Sequence, residues 1–303
     1  MNITITGGSG FIGSSLVEVL RKKHVITIFD VNKTQFNDVT FVPGDITDPK
    51  AVDAAIRNSD VVIHLAAALG VINTEQNPIE TLDTNIFGTK NVLDACKNND
   101  VKKIIFSSSS EIYGEPIKIP IKETDKVMPI TNYGISKLAA EEYIKAYYKN
   151  FGLRYTILRL FNVYGENQRN EWVMTEFVSR AIKNQDIIIH GTGSQIRAFC
   201  HVSDALKGFE FVLEKGDGEI FNIGNDSEPI SIKELAERII SLANSKSNIK
   251  LIPFEKSDRD RNEIMNRAPS VEKAKKILGY QSKMSLDEGI KKIIEIKIQE
   301  TDF

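Results

Sequence analysis

A doubly wound α/β sheet of parallel strands, with a smaller α/β region towards the C-terminus, is the fold class that this 303-residue chain predicts. Three observations point there. Short Val/Ile-rich runs alternate with helical patterns over the first 160 or so residues. Those runs show little polar alternation, as strands buried on both faces do. A glycine-spaced turn separates the first run from the first helical pattern.

The elements follow in order. Strands are predicted at 3–6, 25–29, 40–42, 61–65, 103–107 and 154–160, each a β-branched or aromatic run. Helical patterns fill the gaps at 11–22, at 50–58 after Pro49, at 79–98 and at 133–150. The second half is less regular, with helices at 171–184 and 203–215 and strands at 187–190 and 220–223. Ser231 followed by Glu234 has the spacing of a capping box and opens a helix to about residue 243. Helices at 270–278, closed by Gly279, and at 285–298 complete the chain. No repeat, low-complexity stretch or linker interrupts it. A change of role is placed near 160–170, giving regions 1–165 and 166–303, interleaved rather than separately folding.

Composition removes several classes of function. Lys and Arg number 39 against 41 Asp and Glu, a net charge of −2, so nothing draws the chain towards nucleic acid or anionic lipid. No apolar run approaches the ~20 residues of a membrane span. No basic stretch precedes an apolar one at the start, so no secretory signal is expected and the cytoplasm is the expected location. Cys96 and Cys200 form no CxxC, and His24, His64, His190 and His201 show no ligand spacing; no metal site is expected.

Gly7, Gly10 and Gly13 give a GxxGxxG spacing around Phe11 and Ile12, between a strand and a helix. Such a turn lets backbone approach a pyrophosphate at a helix N-terminus. Asp30 closes the second strand, where a carboxylate hydrogen-bonds ribose hydroxyls and repels a 2′-phosphate. The order of strand, turn, helix and acid points to a Rossmann-type dinucleotide site that prefers NAD to NADP.

Tyr133 and Lys137 stand one helical turn apart, at i and i+4. An ammonium there lowers a phenol's pKa, and the phenolate can take a proton from a sugar hydroxyl. The spacing alone also describes an ordinary exposed helix pair. Upstream, the run from Ser107 to Ser110, with Glu111, ends a strand where open α/β sheets bind ligands. Alone, it equally describes a polar loop.

Together these features resemble an extended short-chain dehydrogenase/reductase of the nucleotide-sugar epimerase/dehydratase type. The resemblance also rests on Gly44-Asp45-Ile46, His64-Leu65-Ala66-Ala67, Thr84-Asn85, Arg159-Leu160-Phe161-Asn162, Gln195-Ile196-Arg197 and His201-Val202-Ser203-Asp204. It implies that Asp45 and Ile46 hold adenine, that Leu65, Ala66, Ala67 and Asn85 line the cofactor, and that Lys137 also binds the nicotinamide ribose. It implies Ser109, Tyr133 and Lys137 as the catalytic set. Ser110, Asn162 and Arg197 would contact the sugar nucleotide, Arg197 pairing with its diphosphate. Arg261 would be a second diphosphate arginine, although the usual RPGD run reads Arg261-Asn262-Glu263-Ile264. His201 is expected to be structural, and Trp172 either stacks on the base or packs in the core.

The reaction implied is transient oxidation at carbon 4 of the sugar. A UDP-glucose 4-epimerase-like activity is favoured, because Tyr133-Gly134-Ile135-Ser136-Lys137 has the generic epimerase form. The alternatives are a UDP-glucuronate-type decarboxylase, which carries Ser-Glu after the catalytic serine as Ser110-Glu111 does here, or a 4,6-dehydratase using Glu111. A non-catalytic NAD(H)-binding protein is the reading from another class. The long helices at 79–98 and 133–150 imply a homodimer, with Val92, Leu93, Leu138 and Tyr147 available for packing.

Overall fold

The computed structural model describes residues 1–254 and 263–301. Its first half runs β1 (Asn2–Thr6), α1 (Phe11–Leu20), β2 (Val25–Asp30), β3 (Thr40–Pro43), α2 (Pro49–Ile56), β4 (Val61–His64), α3 (Val71–Gln76) and α4 (Pro78–Asn98). Then come β5 (Lys103–Ser109), a 3-10 turn at Ser110–Tyr113, α5 (Asn132–Phe151) and β6 (Arg154–Leu160). The second half runs β7 (Val163–Tyr164), α6 (Val173–Ile182), β8 (Ile187–His190), β9 (Ile196–Ala198), β10 (Cys200–His201) and α7 (Val202–Val212). It closes with β11 (Glu219–Ile223), β12 (Pro229–Ser231), α8 (Ile232–Leu242), β13 (Ile249–Ile252), β14 (Asn266–Arg267), α9 (Glu272–Leu278) and α10 (Leu286–Thr301).

Seven strands form one parallel sheet in the order β3-β2-β1-β4-β5-β6-β11. Strand order reverses between β1 and β4, which opens a crevice at the carboxyl ends where such sheets bind ligands. The register brings the functional positions to that one edge: Thr6 lies opposite Phe29 and His64, and Ser109 opposite Leu160. One face of the sheet packs against α1, α7 and α9 through Leu16, Phe209 and Leu278, with Ile3, Ile5 and Phe221 from the strands. The other packs against α2, α4 and α5 through Val52, Val92 and Ile144. A separate core joins α6, α8 and α10 around Phe177, Leu235 and Ile290. Burying each such side chain contributes about 1.5–3 kcal/mol.

The six strands expected in the first half are present, as are the helices between them. Ser231 forms the expected capping box with Glu234, and Gly279 closes α9 in the left-handed conformation. The helix expected from 171 begins at Val173, because Trp172 is its N-cap, and the one expected from 270 begins at Glu272. Pairs and triplets such as β7, β9, β10, β12 and β14 are too short to carry a periodicity of their own, so the sequence pattern does not reveal them. The residues expected to pack a dimer need correction. Val92 and Leu93 are fully buried and Tyr147 is 8% exposed, all turned onto the sheet, while Leu138 packs beside Tyr113 and Phe161. The exposed apolar side chains of these helices are instead Ile79, Phe87, Ile135, Tyr148 and Phe151.

Candidate active site

The glycine turn is built for close approach. Gly7 has φ +74°, and a Cβ there would stand 2.7 Å from the Ala66 backbone nitrogen. A Cβ on Gly13 would stand 2.1 Å from the Gly7 carbonyl oxygen, so the first turn of α1 sits directly on β1's exit. Gly10 is the N-cap of α1 and supplies no side-chain cap. The N–H groups of Phe11, Ile12 and Gly13 therefore open the helix with no carbonyl before them, a ready anion cradle. Asp30 is 8% exposed, and its carboxylate accepts from the N–H groups of Ser9 at 3.0 Å and Asn32 at 2.9 Å. It thereby fastens the glycine turn as well as closing β2.

The neighbouring loop is equally tied. Leu65 N–H donates to the Thr6 carbonyl, and Leu65, Ala66 and Ala67 are half-buried. Asn85, on α4 and 2% exposed, accepts from Ala68 N–H at 2.7 Å and donates to the Ala68 carbonyl and to Ser136 Oγ, both at 3.0 Å. Its amide holds the loop and α5 together. Ile46 is buried against Gly88, while Asp45 is exposed and caps its own turn through Thr47.

Ser109 ends β5, accepts from Glu111 N–H at 3.2 Å and thereby caps the 3-10 turn; Ser110 beside it is buried. Thr131 caps α5: its hydroxyl accepts from Gly134 N–H and donates to Glu111 Oε2 at 2.8 Å. A Cβ on Gly134 would lie 2.9 Å from the Glu111 carbonyl oxygen. Glycine after Tyr133 thus lets the helix start rest on the turn carrying Ser109 and Glu111.

The expected depression of the Tyr133 phenol is not found. Burial and the Glu111 carboxylate both push it up. Lys137 Nζ instead donates to the Ser107 carbonyl at 2.9 Å and lies over the Phe106 ring, 5.6 Å from the Tyr133 ring centre. Burial brings Lys137 down to about 7, partly opposed by Glu141. Glu141 is itself bound to Arg159 in a buried two-pronged pair and accepts from Ser108. Arg159 also reaches the Tyr113 hydroxyl, so β5, β6 and α5 are locked under the site.

Arg197 and Arg267 stand side by side on β9 and β14. Arg197, 4% exposed, pairs with Glu263 at 2.6 Å, and burial with the adjacent Arg267 charge lowers it to about 9. Arg267 Nη1 lies 3.3 Å from Glu111 Oε1, and its buried Nε has no partner among the described residues. Glu115 fixes the same strand by accepting from Met265 N–H and Asn266 Nδ2. Asn162 adopts φ +39° at the end of β6 and donates to the Ala198 carbonyl. Arg261 lies outside the described residues. Arg267, six residues beyond it, is missed by sequence reasoning; its one signal is the Arg-x-Pro spacing of Arg267-Ala268-Pro269. Thr131 and Glu141 are missed as well, and Glu141, one turn beyond Lys137, leaves a spacing signal; Arg159 stands in a quoted segment but without a role. His201 serves as N-cap of α7, its Nδ1 accepting from Ser203 N–H, with Nε2 3.1 Å from Glu166 but outside hydrogen-bond alignment. Trp172 is half-buried at the start of α6.

The chain is similar to known proteins over nearly its whole length. The family model described as "NAD dependent epimerase/dehydratase family" matches residues 3–224. A UDP-N-acetyl-alpha-D-glucosaminuronate decarboxylase of Bacillus cytotoxicus is 37% identical, with 96% of each chain covered. A putative UDP-glucose 4-epimerase of Methanocaldococcus jannaschii is also 37% identical, covering 96% of this chain and 97% of that one. The crystal structure of a UDP-glucose 4-epimerase from Thermotoga maritima with UDP-glucose superposes with a TM-score of 0.94, at 30% identity and 100% coverage of both chains.

Proposed function

The chain belongs to the NAD-dependent epimerase/dehydratase family, and we propose that it decarboxylates a nucleotide-linked uronic acid after oxidation at carbon 4 of the sugar. The carrying observation is the Glu111–Arg267 pair on the turn beside Tyr133. A simple 4-epimerase needs no acid, base or cation beyond the groups that oxidise and reduce carbon 4. Here a carboxylate and a guanidinium, whose buried Nε–H has no partner among the described residues, stand next to them. That N–H suits a substrate carboxylate.

The residues present fit the cofactor. The glycine cradle and the first N–H groups of α1 would take its pyrophosphate, Asp30 the adenine ribose, and Asp45 with Ile46 the adenine. Leu65, Ala66 and Ala67 would line it, and Lys137 would reach the nicotinamide ribose. Bound NAD supplies the reversible acceptor for hydrogen from carbon 4. Tyr133 takes the proton of the carbon-4 hydroxyl, while Ser109 donates to the same oxygen. The Glu111 charge opposes formation of the phenolate, and Arg267 offsets that charge. In the resulting ketone the carboxylate is β to the carbonyl. The bond from carbon 5 to the carboxyl carbon breaks, and its electron pair passes to the carbon-4 oxygen held by Tyr133 and Ser109. Carbon dioxide leaves, carbon 5 gains a proton through Glu111, and the carbon-4 ketone would regain the hydrogen held by the cofactor together with the proton held by Tyr133, so carbon dioxide is the only net loss. Arg197 and Asn162 hold the diphosphate end, with residues 1–165 serving the cofactor and 166–303 the sugar nucleotide.

Among the described residues no helix is long and apolar enough to cross a membrane. A cytoplasmic homodimer joined through the outer faces of α4 and α5 completes this reading.

A second reading, 4-epimerisation, is favoured by the Tyr133–Lys137 segment and by the similarity to epimerases. Product mass separates the two. The protein is incubated with UDP-, dTDP- and GDP-linked uronic acids and neutral sugars. Loss of the mass of carbon dioxide is expected. Unchanged mass with inverted stereochemistry would replace decarboxylation by epimerisation, and loss of water would replace it by dehydration.

A further inference from the structure

A run of hydrogen bonds, of which the Asn85–Ser136 bond is one link, crosses the molecule beneath the crevice. Ala66 N–H donates to Thr6 Oγ1 at 3.3 Å, and Thr6 Oγ1 lies 2.7 Å from His64 Nδ1. His64 Nε2 lies 3.0 Å from Thr89 Oγ1, and the Thr89 hydroxyl donates to the Asn85 carbonyl at 2.6 Å. The Asn85 side chain then donates to Ser136 Oγ, whose hydroxyl donates to the Tyr133 carbonyl at 2.8 Å.

The proton positions follow from the partners. Thr89 spends its only hydrogen on the Asn85 carbonyl, so towards His64 its oxygen can only accept. His64 therefore carries its proton on Nε2, and its bare Nδ1 accepts from Thr6. Thr6, having donated, accepts from Ala66. Each hydroxyl donates in the same direction, from the loop after β4 towards α5, an arrangement in which successive bonds reinforce one another. Thr6, His64, Thr89 and Ser136 are each at most 2% exposed, so water does not substitute for a lost link. Burial, with the Lys137 charge, keeps His64 neutral down to about pH 3, so the direction does not invert in the physiological range.

We propose that His64 is a positioning residue, the central link of a chain that sets the Leu65–Ala67 loop against the helix turn carrying Tyr133. The proposal rests on the assignment of that loop to the cofactor and of Tyr133 to proton transfer. Misplacement of a reacting group by about 1 Å can cost on the order of 100-fold in rate. A chain that fixes both sides of the crevice is the element where such an error would originate.

Thr4 provides a matched control. It lies on the same strand as Thr6, is 1% exposed, and bonds Ser59 Oγ at 2.6 Å and the Ala55 carbonyl at 3.2 Å, outside the chain just described. Thr4→Val and Thr6→Val are expected to lower the thermal midpoint similarly. Thr6→Val alone should weaken NAD binding in calorimetry and lower kcat, each by roughly 10-fold, with KM for the sugar nucleotide nearly unchanged. His64→Phe, which keeps ring volume but neither nitrogen, should do the same. His64→Gln, with one acceptor and one donor, should recover most of both. Nitrogen NMR of the imidazole should show the Nε2–H tautomer from about pH 5 to 9. Equal NAD affinity and kcat in Thr4→Val and Thr6→Val would overturn the proposal, as would an Nδ1–H tautomer. Tyr133→Phe is measured alongside. If it retains turnover, the catalytic assignment fails, while NAD affinity in the Thr6 and His64 variants still decides the positioning role.

Discussion

In the proposed reading, the glycine turn and the arginine strands serve one crevice by different means. The turn is a cradle of backbone: residues 7–13 are contiguous, and Gly13 leaves no room for even a methyl against the Gly7 carbonyl. The arginine side gathers Glu111, Arg197, Glu263 and Arg267 from three distant stretches, with only the two arginines on strands, of three and two residues, and holds them by ion pairs. A backbone cradle recognises what all ligands of the class share. Exchangeable ion pairs can be traded for a ligand's own charges, so the proposed function assigns discrimination between sugars to the arginine side.

Gly13→Ala attacks the cradle and carries the largest expected effect. The added methyl must displace α1 from β1, and NAD affinity should fall roughly 10–100-fold, the scale of about 1–3 kcal/mol for overpacking. An unchanged dissociation constant would remove the turn from the cofactor site. Arg267→Gln attacks the other side. For a carboxylated sugar nucleotide kcat/KM should fall about 10-fold or more, as losing a charged hydrogen bond does, and for a neutral one it should barely move. Equal losses on both substrates would make Arg267 a general support and erase the contrast.

A third test concerns Lys137 and reads stability rather than binding. Burial holds it at about 7, against 10.5 for a freely solvated lysine. Below about 7 the folded and unfolded chains both carry its proton. Between 7 and 10.5 only the unfolded chain does, so this group adds stability as pH rises through that window and withdraws it as pH falls back. The thermal midpoint of Lys137→Met, followed over the same range, should lack that contribution. A parallel slope in both proteins would show that the lysine is better solvated than its surroundings imply.

The same contrast explains how much is legible in the sequence. The β1–α1 turn and Asp30 are readable because contiguous spacing encodes them. So are the parallel strands, because a strand buried on both faces must be apolar at nearly every position. Arg267 is not, since its meeting with Glu111 spans 156 positions and depends on a two-residue strand. The direction of the Tyr133 shift is hidden for a related reason. Spacing shows that Lys137 shares its helix face, but not that the ammonium turns to the Ser107 carbonyl while Glu111 supplies the charge that acts on the phenol.

The place of β11 has a consequence for how the chain is made. This strand completes the central sheet alongside β6, yet it ends at residue 223 of 303. As synthesis proceeds from the N-terminus, β6 emerges first and waits as an open edge, with Ile157 and Leu158 lacking their final neighbours. The intervening α6 and α7 must be produced before the edge is covered. Nascent chains stalled between residues 165 and 219 would therefore present a pairing-competent border to other chains, and chaperone dependence should concentrate in that interval of translation.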